Sequence, residues 1–464
     1  MAQGADKQNT PGGRWGRLAR LASVGLRAGA ARLRGDRAGA DAAQSAAVLG
    51  TLRGLAAKMG QMSGYVDGLV PEAQREAYEA AMKGLLRSAP ASPPALVREV
   101  IEGEFGAPLA QLFPEWDDTP VASASIGQVH RARLPDGCEV AVKVQHPGVA
   151  LAVESDLANA GLFEGFASLL GARRFNTRAI VDVVRERFLE ELDYRHEAQR
   201  QQQFAAIHEG DPRVRVPAIV VARSGRRVLT STFAEGLGYD EACAAPEADR
   251  VTWSETMWRF VFKGNLLGGV FNADPHPGNY LFHEGGAVTF LDFGCTQAIS
   301  PAVLPLARAM HEAALARDED AFRAAAGRLM GAKPGRYERL TTDFARASFE
   351  PVFASPFHIT RAFAGGLLQQ AKALALEAPS IGDAELFHPP AELIFMNRLQ
   401  FGFYSVLARF DVRVDYADVE RRFLAGEFLN PAGISRLGLA SALPPPWGPS
   451  RPVAAFCSRA DPGR

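Results

Sequence analysis

The sequence predicts a two-lobed α+β fold: a helical extension, a small lobe containing β-strands, and a larger lobe that is almost wholly helical. Three observations carry it. Residues 121–145 alternate in short β-type runs around Pro135-Asp136-Gly137, which is turn chemistry. The stretch from Asp41 to Leu86 is rich in Ala and Leu and poor in β-branched residues, as helices favour. After Thr252 the helical pattern resumes, apart from a short hairpin in YLFHEGGAVTFLDFG. A chain of 464 residues is long enough to build two lobes with a substantial apolar core.

In chain order, residues 1–40 hold Lys7, Arg14, Arg17, Arg20, Arg27, Arg32, Arg34 and Arg37 against Asp6 and Asp36, with Leu18, Leu21, Val24 and Leu26 interleaved at helical spacing. Two readings of this basic leader stand open: a disordered, solvated segment, and a surface anchor on anionic lipid. Residues 41–115 read as a helical extension, broken near Gly64 to Gly68 and restarted at Pro71. A further helix starts at Ser92-Pro93-Pro94, where Ser92 can cap and proline suits the first turn. Residues 116–235 form the β-containing lobe with inserted helices. Within it, residues 178–204 read as a helix with Val181, Val184, Phe188 and Leu192 on one stripe, and two more short strands flank Ser224-Gly225. Residues 236–435 form the helical lobe, in which Ser300-Pro301 reads as a helix cap and first turn. Residues 436–464, with Pro444, Pro445 and Pro446, are expected to be a disordered tail.

Apolar residues at 47%, charged residues at 22% and a net charge of -1 describe an ordinary globular protein, so nucleic acid is not an expected partner. Cys138, Cys243, Cys295 and Cys457 fit neither CxxC nor Cys/His zinc spacing, which favours a reducing compartment. No stretch reaches the roughly 18 consecutive apolar residues of a membrane span. The expected location is cytoplasmic, with peripheral contact to an anionic membrane if the leader binds lipid.

The chemistry concentrates in an ordered set of motifs. Against the kinase Gly-rich pattern G-x-G-x-x-G-x-V, this chain places Ala122, Ala124, Gly127 and Val129, with Ser125 in the same loop. Two glycines have become alanines, and each added methyl restricts the approach of backbone N–H groups to phosphate. Val140-Ala141-Val142-Lys143 then matches the V-A-I-K strand, whose lysine pairs with phosphates. Such a lysine needs a carboxylate partner. The helix carrying LEELDYRHEAQ offers Glu190, Glu191, Asp193 and Glu197, with Asp193 and Glu197 four apart on one face. Glu197 is the first choice, and Glu191 also fits a helix facing a strand. Thr232 and Ala234, at the end of the lobe's last strand, are assigned as further nucleotide contacts.

The strongest local signal is Asn272-Ala273-Asp274-Pro275-His276-Pro277-Gly278-Asn279, followed by Leu291-Asp292-Phe293-Gly294. The step from Asp274 to Asn279 reproduces that of a kinase catalytic loop, and DFG is the metal-binding triplet. Asp274 is therefore assigned to orient or deprotonate the acceptor, Asn279 and Asp292 to hold magnesium, and Lys143 to hold the phosphates of ATP. His276 has no second histidine at ligand spacing and reads as a loop-fixing residue. The fold so implied is a bilobal protein-kinase-like one. No A-P-E follows DFG, so the platform that supports a peptide substrate is missing or a stub, and a conventional protein kinase is not expected.

Over roughly residues 45–300 these motifs resemble the UbiB/AarF family of atypical kinase-like proteins, associated with coenzyme Q biosynthesis and isoprenoid-lipid functions. The resemblance rests on Lys58-Met59-Gly60-Gln61 as the K-x-G-Q motif, on ASASIGQVH, on AVKVQHPGV, on Glu191-Leu192-Asp193 as E-x-D, and on NADPHPGN. It implies that Lys58 and Gln61 lie over the cleft where a peptide would dock, that Lys58 meets the E-x-D acids, and that Glu197 pairs with Lys143. The implied activity is ATP hydrolysis or phosphorylation of a small or lipidic acceptor. The other reading is a nucleotide-gated scaffold for biosynthetic enzymes with little turnover.

Overall fold

The structure, a computed structural model, describes residues 91–123, 126–150, 190–331, 334–377 and 391–428. The expectations for the basic leader, for the Asp41 to Leu86 helices and for the proline-rich tail lie outside these residues. The small lobe begins with helices α1 (Pro94–Phe105) and α2 (Leu109–Leu112), followed by strands β1 (Glu115–Trp116), β2 (Ala122–Ser123), β3 (Gly127–Arg133) and β4 (Glu139–Gln145). The predicted turn closes the β3–β4 hairpin: Gly137 N donates to Leu134 O at 2.9 Å, and Gly137 takes φ +85°, a conformation that only glycine enters cheaply. Helix α3 (Tyr194–Ile207), strand β5 (Val214–Arg215) and strand β6 (Val228–Thr232) complete this part.

β1, β3, β4 and β6 form one antiparallel sheet, with β2 pairing the loop end of β3 where β1 pairs its turn end. Alternation divides the faces of β4. Val140, Val142 and Val144 are all fully buried and pack with Val97, Ile101, Leu112 and Phe113 of α1, α2 and the residue after them. Each such valine contributes about 1.5–3 kcal/mol through burial. Lys143 lies on the other face, toward the cleft. Thus α1 and α2, which fall in the expected helical extension, share a core with the sheet.

The helical lobe contains α4 (Tyr239–Cys243), α5 (Glu247–Leu266), α6 (Leu304–Ala316), α7 (Glu319–Met330), α8 (Arg336–Ser348), α9 (Glu350–Phe353), α10 (Arg361–Glu377), α11 (Ala391–Ala408) and α12 (Tyr416–Leu424). Its centre is polar as well as apolar: fully buried Glu420 accepts from Trp258 Nε1 and meets His311 Nδ1, at 2.9 and 2.8 Å, joining α12, α5 and α6. Short strands line its cleft side. β7 (Val270–Asn272) pairs with β10 (Thr296–Ala298), and β8 (Tyr280–Phe282) with β9 (Val288–Phe290), while β5 runs parallel to β9. The β5–β9 pairing carries the chain from the end of α3 into the helical lobe before β6 returns it to the sheet. β11 (Phe357–His358) and β12 (Arg413–Val414) form a further pair.

The structure corrects several expectations. The helix expected over 178–204 is interrupted at Leu192-Asp193 within its described part, because Asp193 leaves the helical conformation to cap α3 through Arg195 N. Asp193 and Glu197 are therefore not two members of one continuous helix. Ser92 does not cap α1; its N donates to Gln128 Oε1 at 2.6 Å and its hydroxyl meets His146 Nδ1 at 2.8 Å. Ser300 is not a side-chain cap either: α6 begins at Leu304, and the Ser300 carbonyl accepts from Val303 and Leu304 N. Before Ser224 there is a single bridge at Ile219 and a 3-10 turn over Val221–Arg223 in place of a second strand. Cys138 is held in a disulfide, which the cysteine spacing did not lead us to expect, while Cys243 is a free thiol.

One buried ion pair fastens the turn after α3 to the helical lobe. Arg259 of α5 donates to Asp211 at 2.6 and 3.0 Å, with side-chain exposures of 3% and 0%. Asp211→Ala leaves that guanidinium buried without its counter-charge, so the expected loss is about 3–5 kcal/mol of unfolding free energy, measured as a lower urea midpoint. An unchanged midpoint would show that the pair adds nothing to stability.

Candidate functional site

The site is built on one lysine. The β3–β4 register sets Lys143 opposite Val129, and its Nζ lies 2.7 and 2.9 Å from the two oxygens of Glu197 and 3.5 Å from Asp292 Oδ2. Of the two acids left open by sequence, Glu197 is the one placed on the lysine. It lies in the first turn of α3, where the Asp193 cap fixes the helix start and so its direction. The Tyr194 ring lies 5.2 Å from Lys143 Nζ, in cation–π range. Burial opposes the lysine's charge, but Asp292 and Glu197 outweigh it and hold the ammonium well above its ordinary value. Burial pushes the Glu197 carboxyl up to about 6, against the pull of Lys143.

The helical lobe brings the second half. Asp292 takes φ +56°, a conformation uncommon outside glycine, and its Oδ1 accepts from Gly294 N at 3.0 Å. This turn presents Asp292 to Lys143. Asn272 joins the two loops: its Nδ2 donates to Asp292 O at 2.8 Å, and its Oδ1 accepts from Asp274 N at 3.0 Å. Asn279 Nδ2 donates to Asp274 O at 3.2 Å, which leaves Oδ1 as its donor atom for a hard cation. His276 Nδ1 accepts from Gly278 N, and burial holds the ring's pKa down, so it fixes the turn as a neutral group. From behind, α11 packs against this loop, where a Cβ on Gly402 would stand 2.5 Å from Pro275 Cγ. Leu399 and Phe403 of α11 close, with Asn272, Asp274 and Asn279, a cavity with room for about one water.

The donor set suits magnesium, which takes oxygen ligands from one or two carboxylates together with phosphates and waters. Asp292 supplies a carboxylate and Asn279 an amide oxygen. Among the described residues no group of three or more His, Cys, Asp or Glu could hold a metal by itself.

The other assigned residues fall as follows. Ala122 and Val129 face each other across β2 and β3. Gly127 begins β3 under close packing, since a Cβ there would lie 2.5 Å from Tyr194 Oη and 2.6 Å from Val144 O. The Thr232 hydroxyl accepts from Ala218 N at 3.0 Å. Ala234 lies where the chain crosses between lobes, after Phe233 N donates to Glu139 O and before Leu237 N donates to Phe282 O. Glu191, just before the α3 cap, helps to raise the Glu197 pKa by its charge. Asp193 is engaged by Arg195; burial opposes its ionisation, and the Arg195 hydrogen bonds outweigh that and pull its pKa down. Ala124, Ser125, Lys58 and Gln61 lie outside the described residues. Sequence reasoning missed Asn272 and Tyr194, although both stand inside the quoted motifs; neither residue type advertises a bridging role.

The family model described as the ABC1 atypical kinase-like domain matches residues 84–326. An uncharacterised protein of Mycobacterium tuberculosis strain H37Rv is 34% identical over 279 residues, covering 58% of this chain and 56% of its own. The Saccharomyces cerevisiae protein named atypical kinase COQ8, mitochondrial, is 31% identical over 247 residues, covering 53% and 48%. The Arabidopsis thaliana chloroplastic protein ACTIVITY OF BC1 COMPLEX KINASE 7 is 33% identical over 242 residues, covering 51% and 34%. The chain thus spans about half the length, or less, of these curated relatives. Among solved structures, Mycobacterium tuberculosis Rv3197 in complex with erythromycin is similar with a TM-score of 0.56 and 25% identity, covering 89% of this chain and 100% of that one.

The Glu197 titration offers a direct check. Its raised value favours the neutral acid, so the ion pair is complete above about pH 6 and is lost as pH falls through it. Carboxyl NMR should find a Glu197 midpoint near 6, and Lys143→Met, which removes the attracting charge, should move it higher. A midpoint at the ordinary 4.5 in both proteins would contradict the buried geometry.

Proposed function

The chain belongs to the ABC1 atypical kinase-like family, and from that premise we propose that it binds ATP with magnesium and either hydrolyses it or phosphorylates a small or lipidic acceptor. Its fold is the kinase-like one, a β-sheet lobe and a helical region in a mixed α+β chain. The observation that carries the reading is Lys143 held between Glu197 and Asp292, with Asp274 and Asn279 on the loop tied to Asp292 through Asn272.

In this reading Lys143 holds phosphate oxygens and Glu197 keeps the ammonium in place. Magnesium, held by Asp292 and Asn279, would neutralise charge on the phosphates. Asp274 orients the acceptor hydroxyl or water and takes its proton as the acceptor oxygen bonds to the terminal phosphorus and the bond to the ADP oxygen breaks. Nothing resembling a peptide platform follows: only residues 295–303 separate Gly294 from α6, and β10 within them is paired to β7. A small or lipidic acceptor therefore fits better than a polypeptide, in isoprenoid-lipid or ubiquinone-related metabolism as the family resemblance suggests.

Among the described residues no helix is long and apolar enough to cross a membrane, and we place any lipid contact at the surface, through the basic residues 1–40. The second reading, a nucleotide-gated scaffold for biosynthetic enzymes, draws support from the Lys143–Asp292 contact, because a ligand must compete with Asp292 for the lysine.

Magnesium-dependent ATP turnover by the wild type, with and without anionic liposomes, is the test. Lys143→Ala, Asp274→Asn and Asp292→Asn are each expected to lower the rate by about 100-fold or more. Rates equal to wild type would sink the enzymatic reading, whereas tight ATP binding without turnover would favour the scaffold.

A further inference from the structure

Tyr194, the residue that follows the Asp193 cap, is 1% exposed, yet among the described residues its hydroxyl has no hydrogen-bond partner. Buried hydroxyls are nearly always satisfied, so an orphan one at a ligand site points to a partner that arrives with the ligand. Its position is specific. The ring lies 5.2 Å from Lys143 Nζ, and the hydroxyl occupies the space left by the missing side chain of Gly127, where a Cβ would stand only 2.5 Å away. By alternation and register, Gly127, Val129 and Lys143 share one face of the β3–β4 hairpin. The Tyr194 hydroxyl therefore lies against Gly127 at the start of β3, on the face that carries the lysine.

We propose that Tyr194 is a phosphate ligand of the nucleotide site, its hydroxyl donating to a phosphate oxygen drawn between Gly127 and Lys143. This rests on the ATP reading above and adds to it a donor that no motif assigns. Burial keeps the phenol's pKa well above its ordinary value, so the hydroxyl remains a neutral donor throughout the working pH range. The ring and the hydroxyl have separable tasks. The ring stays against the lysine in Tyr194→Phe, and only the donor is lost.

The experiment compares the full-length wild type with Tyr194→Phe by calorimetric titration with magnesium and ATP, and with adenosine, and by thermal melting. A hydroxyl reserved for phosphate gives opposite signs in the two states. Without nucleotide, Tyr194→Phe should melt at the same temperature or higher, because it removes an unsatisfied buried group. With ATP, the variant should bind about 10-fold or more weakly, the effect of one hydrogen bond to a charged group, while adenosine binds both proteins alike. A lower melting temperature without nucleotide would make the hydroxyl structural and overturn the proposal. Equal ATP affinity, or equal losses for ATP and adenosine, would overturn it while leaving the ATP reading intact. Absence of ATP binding by the wild type would overturn both.

Discussion

The candidate site depends on one largely buried ammonium. Lys143 is rooted in the sheet, and the two carboxylates it meets come from different places: Glu197 from a helix of the small lobe and Asp292 from a loop of the helical lobe. A buried cation is tolerated only when paired, so the fold has to deliver at least one acid to this point. It delivers each by a different local device. A capped helix start aims Glu197, and a left-handed residue turns Asp292 inward. Two carboxylates around one ammonium leave an excess of negative charge beside Asp274, which is the electrostatic setting a divalent cation and its phosphates would complete.

Much of this was legible in the sequence, and the reasons differ by element. The β3–β4 hairpin could be read because Pro135-Asp136-Gly137 allows few other backbone paths and because alternation divides valines from lysine. The step between Asp274 and Asn279 and the DFG triplet could be read because their spacing is fixed by the chemistry. The break before α3 was less visible: Asp193 stands four residues before Glu197, as on one face of a helix, and only its backbone shows that it terminates the pattern. Ser92 and Ser300 look like caps in any one-dimensional reading, yet tertiary partners claim the first, and the second contributes only its carbonyl. The β7–β10 pair is three residues long on each side and carries no periodicity to detect.

Tyr194 and Asn272 show a different limit. Both lie inside motifs read for their acids, but their roles come from what long-range folding brings beside them. Tyr194 reaches Gly127 across the lobe, and Asn272 spans two loops separated by the β8–β9 hairpin. Helix propensity and residue spacing do not encode such contacts. They emerge once the cleft is assembled.

The attachment of α3 has a larger consequence. Its first turn is held to the bend that leads into β6 by the hydrogen bond from Tyr194 N to Arg226 O, and farther along Phe204 packs at a tilt against Phe293 of the DFG triplet and stacks on Phe260 of α5. The Asp211–Arg259 pair and the β5–β9 ladder then rivet the following segment to the helical lobe. In many kinases the corresponding helix swings, and that swing makes or breaks the lysine–glutamate pair as an on–off switch. Here the helix is held from both sides, by the small lobe at its start and by the helical lobe from Phe204 onward. An outward swing of α3 would therefore have to break these contacts before it could part Glu197 from Lys143.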